Sequence, residues 1–362
     1  MSRINVLRGL AGGCAIAIWV ATGAAAQPID LTGQTVTIVH NAAPGGATGL
    51  GAQIAANAWA KTMAGAPTIV VQSVEGGALS RGILQVMNAR PDGRTIGWLA
   101  WNGSTRILDP EPLQIPFANF GLIGGVGGAT FLVHVSVDAE NGPRDADDVV
   151  NLDHLRFGGY NPKSAPSMRT AAALDMLGVD YTFISGFSGD NPLEAALQRG
   201  EIDAYPATSV FYNQQLRDGP IAAGKSFSLF YFTGPNEAGD ALLEDPFLPG
   251  EETFDAYFRR VTGSEPSGPE WEMIKYHGRV TDPINWLIVA PPGTPEDHLQ
   301  MLRTSFAEAT QDPEFLAEAE RIFGRVPTIS HFEQVEAIVE EIANTPPEMR
   351  DLMSSYIAKM ER

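Results

Sequence analysis

Cysteine and basic residues are scarce in this sequence. A single cysteine, Cys14, occurs among 362 residues, which excludes a disulfide scaffold. The chain carries 24 Lys and Arg against 43 Asp and Glu, a formal net charge of -19. Nucleic acid is therefore not an expected partner, because binding it needs a basic surface. With 44% hydrophobic residues, the composition also excludes a disordered chain and is typical of a globular protein.

A run of apolar residues long enough to span a membrane is also missing. Two arginines precede an uncharged apolar stretch over residues 10–20, which is shorter than the roughly 20 residues that a spanning helix needs. Residues 24–26 are all alanine and supply an A-x-A cleavage site. We predict a secretory signal peptide over residues 1–26, cleavage after Ala26 and a periplasmic location.

The rest of the chain alternates short apolar strands with helices, and this pattern occurs twice. The first repeat predicts strands at 35–40, 68–74, 95–100 and 121–126, and helices at 52–63 and 78–88. The second repeat predicts strands at 155–158, 181–185, 202–205 and 227–232, and helices at 166–177 and 192–199. Such alternation indicates βαβ units, so we expect an α/β protein of two lobes.

Two further apolar strands, at 131–137 and 284–290, are placed to cross between the lobes and to act as a hinge. Residues 235–269 are rich in Gly, Pro and Glu, which predicts a long surface excursion. The expected division is a first lobe of 27–129 plus 283–362, a second lobe of 130–240, and a surface excursion of uncertain assignment over 241–282.

A glycine-rich turn separates the first strand from the first helix, with glycines at 45, 46, 49 and 51. Backbone N–H groups and the positive end of the helix dipole would favour an anion there. The turn contains neither Gly-Lys-Ser/Thr nor G-x-G-x-x-G, so it does not indicate a nucleotide site. A tight turn that needs glycine for its backbone angles explains the same residues equally well.

A second turn, over 157–168, also leads from a strand into a helix. Ser164 is placed as the N-cap of that helix, and Lys163 adds a positive charge, although a lone loop lysine is usually only solvated. Open α/β sheets bind ligands at the carboxyl ends of their strands. The two turns could therefore face one cleft, with Trp101 either beside it or in the core.

The sequence carries no recognisable catalytic or metal-binding motif. Its histidines show no ligand spacing, Gly186-Phe-Ser-Gly189 is one residue short of a nucleophile elbow, and no cysteine follows the signal peptide. We therefore expect neither an enzyme, nor a cofactor, nor a bound metal.

Five short motifs follow one another along the chain: Pro44-Gly-Gly-Ala-Thr48, Pro91-Asp-Gly93, Gly186-Phe-Ser-Gly189, Gly200-Glu-Ile-Asp203 and Ala290-Pro-Pro-Gly-Thr-Pro295. In this order they resemble the substrate-binding proteins of tripartite tricarboxylate transporters, the Bug-type periplasmic receptors, over residues 34–330. The resemblance implies a two-lobed periplasmic-binding-protein fold, the type II Venus flytrap, with two hinge crossover strands. It implies capture of a small organic carboxylate, namely a di- or tricarboxylate or an aromatic acid, and delivery to the membrane subunits of such a transporter. We expect a monomer.

The expected ligand-binding residues are Asn41, Ala43, Gly45, Gly46, Ala47, Thr48, Trp101, Asn102, Lys163, Ser164, Ser167, Phe187, Ser188, Gly189 and Thr208. The chain departs from the family pattern where Gly49 follows Thr48 and where Gln53 stands at the position of an arginine. These departures leave the identity of the carboxylate open. An exported α/β hydrolase acting on an anionic substrate, or a receptor signalling to a two-component system, are the alternative functions.

Overall fold

The protein is described from a computed structural model, over residues 29–42, 44–76, 79–101, 103–108, 117–128, 130–139, 143–187 and 189–362. The predicted signal peptide over 1–26 lies outside these residues. Across the described residues, no helix is both long enough and apolar enough to cross a bilayer.

The described residues form eleven strands. They are β1 Thr35–His40, β2 Thr68–Ser73, β3 Thr95–Ala100, β4 Gly121–Gly127, β5 Phe131–Ser136, β6 Leu155–Gly158, β7 Tyr181–Ile184, β8 Ala204–Thr208, β9 Ser226–Phe232, β10 Trp286–Ala290 and β11 Thr328–His331.

The α-helices of the described residues follow the strands in alternation at first and then fill the C-terminal third. They are α1 Ala47–Thr62, α2 Ser80–Met87, α3 Gly103–Leu108, α4 Ala165–Leu177, α5 Asp190–Gln198, α6 Ser209–Phe211, α7 Phe254–Thr262, α8 Pro269–Val280, α9 Glu296–Ala309, α10 Pro313–Phe323, α11 Phe332–Ala343 and α12 Pro347–Met360. A wider helical segment, Tyr212–Ile221, continues α6 and is interrupted at Gly219.

The strands make two separate sheets, one in each lobe. The first has the order β11-β4-β10-β3-β1-β2, and the second has the order β7-β6-β8-β5-β9. In each sheet the βαβ strands are parallel, and one strand is inserted antiparallel: β10 between β3 and β4, and β5 between β8 and β9. At the edge of the first sheet, β11 is also antiparallel to its neighbour β4. This arrangement agrees with the expected two-lobed α/β architecture.

Successive side chains along β1 lie on opposite faces of the first sheet and are buried in two different cores. Ile38 packs under α1 and α9, whereas the adjacent Val39 faces α2 and a larger core that extends into the second lobe. The indole of Trp59 on α1 donates a 2.8 Å hydrogen bond to the hydroxyl of Ser305 on α9. The sheet is therefore covered on both faces, as its parallel strands require.

Two chain segments cross between the lobes: the first crossover connects β4 to β5, and the second connects α8 to β10. They lie side by side. The N–H of Gly128 donates to the carbonyl of Asp282 at 3.0 Å, and the N–H of Asn285 donates to the carbonyl of Val126 at 2.8 Å. A Cβ atom on Gly127 would lie 2.3 Å from the backbone of Pro283. Only glycine allows the two chains to approach this closely.

The expectation of a surface excursion after the second lobe is wrong for much of its length. Helices α7 and α8 bury large side chains to 3% exposure or less, among them Phe254, Tyr257, Trp271 and Met273. Helix α8 packs against α4 on one side and against α11 on the other. Glycine and proline are concentrated in the turns around these two helices, and this composition concealed an apolar face that joins the main core.

The first helix begins five residues before its predicted start. Gly49 and Gly51 lie inside α1 rather than in the preceding turn. A Cβ atom on Gly49 would lie 3.1 Å from the ring of His40, and one on Gly51 would lie 3.0 Å from the ring of Trp286. These glycines therefore serve close packing of the helix against aromatic rings, and the loop before it is shorter than expected.

Candidate functional site

A cavity of about 380 Å³ lies between the two lobes beside the crossovers. Its first-lobe wall includes Ala47 at the start of α1 and Trp286 on β10, and its second-lobe wall includes Asp190 at the start of α5 and Thr208 at the end of β8. Gly128 of the first crossover closes it at the hinge. Movement of the lobes would change its volume directly.

The beginning of α1 lies at this cavity, where Ala47 lines the wall. Gly46 precedes the helix with extended backbone angles, and no side chain caps the first-turn N–H groups. The first turn contains no acidic residue. Such a helix end favours a negatively charged group.

Aromatic and aliphatic side chains form much of the cavity wall. Val210, Phe211 and Pro327 line it together with Trp286 and Phe323, whose rings lie 5.5 Å apart. The indole N–H of Trp286 donates a 3.0 Å hydrogen bond to the hydroxyl of Thr48, which fixes the orientation of the ring. A ligand in this cavity would contact a largely apolar surface.

Asp190 supplies a carboxyl group on the second-lobe wall. It accepts hydrogen bonds from the Thr208 hydroxyl at 2.6 Å, from the Thr208 N–H at 3.3 Å and from the Tyr160 hydroxyl at 3.4 Å. Burial raises the pKa of Asp190, and the hydrogen bonds from Thr208 and Tyr160 oppose that rise. The cavity thus contains an acid whose charged form is disfavoured.

Arg325, in the connection between α10 and β11, also lines the cavity. Its Nη1 atom donates to Asp245 Oδ2 at 2.9 Å, and its guanidinium lies 4.8 Å from the centre of the Phe247 ring. Asp245 is itself buried and accepts a hydrogen bond from the Thr130 hydroxyl. This cation is therefore held in place from the second-lobe side of the cleft.

Two of the residues predicted from sequence, Ala47 and Thr208, line this cavity directly. Gly45 and Gly46 form the turn before α1, and Gly45 has a φ of 76° that favours glycine. Thr48 contributes through its bond to the cavity-lining Trp286. The first-lobe turn therefore ends at the cavity, and the ligand-binding role of its residues stays a prediction.

Other predicted residues have structural contacts instead. The Asn41 amide accepts from the N–H of Ala100 at 2.7 Å and donates to the carbonyl of Leu79, so it links strand ends inside the first lobe. Trp101 is 9% exposed and packs in the core against Phe117 at 5.2 Å.

The second-lobe turn before α4 does not line the cavity. Lys163 is exposed. The Ser164 hydroxyl donates to the carbonyl of Asn161 at 3.0 Å and shares a 2.8 Å hydrogen bond with the Ser167 hydroxyl, rather than capping the helix. Phe187 is half-buried against the second-lobe core, and Gly189 precedes α5. Helix α5, not α4, brings its N-terminus to the cavity.

Three predicted residues, Ala43, Asn102 and Ser188, lie outside the described residues. Sequence reasoning missed Asp190, Trp286 and Arg325. Asp190 follows directly after the Gly186–Gly189 motif, so its position offered a signal. Arg325 offered none, because it lies far along the chain from both turns and only the return of β10 and β11 to the first sheet brings it to the cleft.

A larger cavity of about 730 Å³ lies within the second lobe, between the C-terminal end of α5 and the segment 219–226. All of its walls belong to that one lobe, so lobe closure does not act on it. Among the described residues, no group of three or more His, Cys, Asp or Glu side chains is placed to hold a metal ion.

No protein-family model matches this sequence, and no curated protein matches it. Solved structures do match the fold. A TctC solute-binding protein from Polaromonas is 17% identical, with a TM-score of 0.60, over 89% of this chain and 98% of that chain. MatC from Rhodopseudomonas palustris with bound malate is 21% identical, with a TM-score of 0.54, over 90% and 97%.

A third solved structure, an R. palustris protein with adipate, is 16% identical, with a TM-score of 0.61, over 88% of this chain and 97% of that chain. These likenesses extend over nearly the whole described chain. They show that the chain has the two-lobed fold of periplasmic solute-binding proteins, as the sequence predicted.

Proposed function

We propose that this protein is an extracytoplasmic solute receptor that captures a small organic carboxylate in the cleft between its lobes. The observation that carries the proposal is the cavity of about 380 Å³ walled by both lobes at the uncapped start of α1. Binding there would hold the lobes together, and closure would remove water from the ligand's polar contacts. The malate and adipate bound by two structural neighbours are carboxylates of the proposed class.

The apolar wall favours a carboxylate that also has a hydrocarbon body. Trp286, Phe323 and Phe211 offer aromatic surface at one side of the cavity, while polar groups are few. Burying apolar ligand surface contributes roughly 25 cal/mol per Å². We therefore expect longer aliphatic or aromatic acids to bind more tightly than the shortest dicarboxylates.

Binding rather than catalysis is proposed because the side-chain hydroxyl among the described residues that line the cleft is engaged in the fold. The Thr208 hydroxyl, which donates to Asp190, also accepts the N–H of Phe211 at 3.2 Å and so caps α6. A hydroxyl held on both sides is poorly placed to act as a nucleophile. The same reasoning disfavours the alternative of an exported hydrolase.

The lobes are proposed as residues 27–129 plus 283–362 for the first and 130–282 for the second. Helices α7 and α8 are included in the second lobe because both pack against α4.

We further propose export to the periplasm with cleavage after Ala26, and a monomeric state. Mass spectrometry of the exported protein and light scattering of the purified protein test these two points.

The experiment for the proposed function is thermal unfolding of residues 27–362 with adipate, malate and phenylacetate, against the neutral amide adipamide. A ligand at 100 times its Kd adds about 2.7 kcal/mol, which at this size raises the Tm by a few degrees. We expect the acids to raise the Tm and the amide to leave it unchanged.

Ala47→Leu should abolish the shift, because Ala47 is exposed and lines the cavity. The matched control is Ala222→Leu, at an exposed position outside the cavity lining. Equal shifts with acids and amide, or no effect of Ala47→Leu, would contradict the proposal.

Delivery to the membrane subunits of a tripartite transporter is part of the proposal. Genes for such subunits beside this one, together with uptake of the identified acid that depends on both, would support it. A neighbouring sensor kinase and response regulator, with no transport genes, would support a sensing receptor instead.

A further inference from the structure

Arg325 is the one cationic side chain among the described residues that line the interlobe cavity. Its side chain is only 12% exposed, so its charge is shielded from solvent. Lys163, the cation expected from the sequence, is exposed and does not line the cavity. An anionic ligand in this cavity would therefore find its positive partner at Arg325.

All hydrogen bonds from the Arg325 guanidinium to described residues come from one nitrogen atom, Nη1. Nη1 donates to Asp245 Oδ2 at 2.9 Å, to Thr130 Oγ1 at 3.3 Å and to Ser209 Oγ at 3.4 Å. Phe247 covers one face of the group at 4.8 Å. Together these contacts fix the plane of the guanidinium before any ligand arrives.

The edge formed by Nε and Nη2 has no hydrogen-bond partner among the described residues, and Nε is buried. A buried donor without a partner is unfavourable. This same edge of an arginine matches a carboxylate, which accepts two parallel N–H···O bonds from it. We propose that Arg325 is the specificity-determining residue of the cleft and that its Nε–Nη2 edge receives the ligand's carboxylate.

The surrounding charges are compatible with this role. Asp245 is engaged by Arg325, by Thr130 and by the N–H of Phe247, so its charge is spread over three donors. Asp190 on the facing wall is bonded to Thr208 and Tyr160. Apolar neighbours such as Phe323 lower the local dielectric and strengthen a pair between Arg325 and the ligand.

This inference also connects ligand capture to the hinge. Arg325 belongs to the first lobe, whereas Ser209 and Asp245 belong to the second, and Thr130 lies at the first crossover. A carboxylate on the free edge of Arg325 would be joined through that side chain to both lobes. The inference rests on the proposed function, since it assigns the ligand contact within the same cleft.

The test is isothermal titration of residues 27–362 with adipate and with adipamide. Arg325→Lys keeps the charge but removes the pair of parallel N–H donors, and it should weaken adipate binding about tenfold. Arg325→Met should weaken it about a hundredfold and leave adipamide binding unchanged, so that the preference for the acid collapses. Lys163→Ala is the control, because Lys163 is an exposed cation outside the cavity lining, and it should change affinity less than threefold.

The possible results separate the two claims. If wild type binds adipate or another acid of the panel and both Arg325 variants bind it equally well, this inference is wrong while the proposed function stands. If wild type binds no carboxylate at all, the proposed function fails and this inference fails with it. Near-UV circular dichroism identifies a misfolded Arg325→Met, in which case the ratio of acid to amide binding in Arg325→Lys and Arg325→Gln decides.

Discussion

Arg169 and Asp282 form a two-armed ion pair, with both nitrogen–oxygen distances at 2.8 Å. Arg169 lies on α4 of the second lobe with its side chain 1% exposed, and Asp282 lies in the second crossover. The carbonyl of Asp282 also accepts the N–H of Gly128 in the first crossover. The pair thus fastens the second lobe to both chains of the hinge.

Removing one partner of this pair should strongly destabilise the protein. Burial raises the pKa of Asp282, and the guanidinium of Arg169 opposes that rise, so the carboxylate depends on its partner. Arg169→Met leaves a buried carboxylate uncompensated and should lower the free energy of unfolding by about 3–5 kcal/mol. Urea unfolding measures the loss.

The control for this prediction is the exposed pair of Arg199 and Glu201, whose side chains are 57% and 53% exposed. Arg199→Met should change stability by less than about 1 kcal/mol. The double variant of Arg169→Met with Asp282→Leu should recover much of the loss, because no unpaired charge remains. Equal effects of Arg169→Met and Arg199→Met would contradict the interpretation.

The closeness of the two crossovers predicts a second, purely steric effect. Gly125 and Gly127 lie on one face of β4, but a Cβ on Gly127 would lie 2.3 Å from the backbone of Pro283. A Cβ on Gly125 would instead meet the ends of Ile284 and Val335 side chains at 3.0 and 3.2 Å. Side chains can shift by a few tenths of an ångström, and paired backbones cannot.

We therefore expect Gly127→Ala to lower the Tm markedly, by the equivalent of about 3 kcal/mol or more, and Gly125→Ala to lower it less. Calorimetry of both variants compares them directly. A Gly127→Ala protein as stable as Gly125→Ala would show that the crossovers are not held together.

The sequence predicted the two sheets well because their strands are short apolar runs bounded by turn residues. The position of β1, for example, was correct to the residue, since Thr35–His40 stands between a polar turn and the Gly-rich loop. The start of α1 was missed because Gly49 and Gly51 resemble turn residues until the facing rings of His40 and Trp286 are known.

The walls of the cleft were predictable only in part, because contacts between distant parts of the chain place some of their residues. Ala47 was expected there because it follows the Gly-rich turn, and Thr208 was among the residues expected to bind the ligand. Arg325 and Trp286 come from the returning C-terminal segment, and sheet pairing over long sequence separations decides their position. No local pattern encodes that pairing.

Asp190 predicts a pH dependence of ligand binding. Burial raises the pKa of this carboxyl, and an anion entering the same cavity disfavours its charged form further. Binding should therefore take up a proton, and the affinity for adipate should increase as the pH falls from 8.0 to 6.5, where adipate itself stays fully ionised. The increase has an upper limit of about tenfold per pH unit for one linked proton.

Titration calorimetry at several pH values measures this linkage, and Asp190→Asn supplies the comparison. The variant keeps an acceptor for Thr208 but cannot ionise, so its affinity should stay constant over the same range. Identical pH profiles for wild type and Asp190→Asn would show that Asp190 does not face the ligand.

His277, on α8, predicts how stability changes in acid. Burial first, and the nearby Arg169 second, lower the pKa of this imidazole to about 3, and neither ring nitrogen has a hydrogen-bond partner among the described residues. In the unfolded chain the ring gains its proton near pH 6.5, whereas in the folded chain it stays neutral down to about pH 3. Stability from this group is therefore present above about pH 6.5 and is lost as the pH falls towards 3.

His277→Leu and His277→Gln cannot titrate and should both lack this loss. Relative to wild type, each should gain up to about 1.4 kcal/mol per pH unit between pH 5.5 and 3.5 in urea unfolding. Leucine should also be at least as stable as histidine at pH 7.5, because it removes two unpaired polar atoms from the core. A difference in the free energy of unfolding between wild type and both variants that stays constant across the pH range would show that the imidazole becomes protonated inside the folded protein. Helix α8 would then be less closely packed against α4 than the structure indicates.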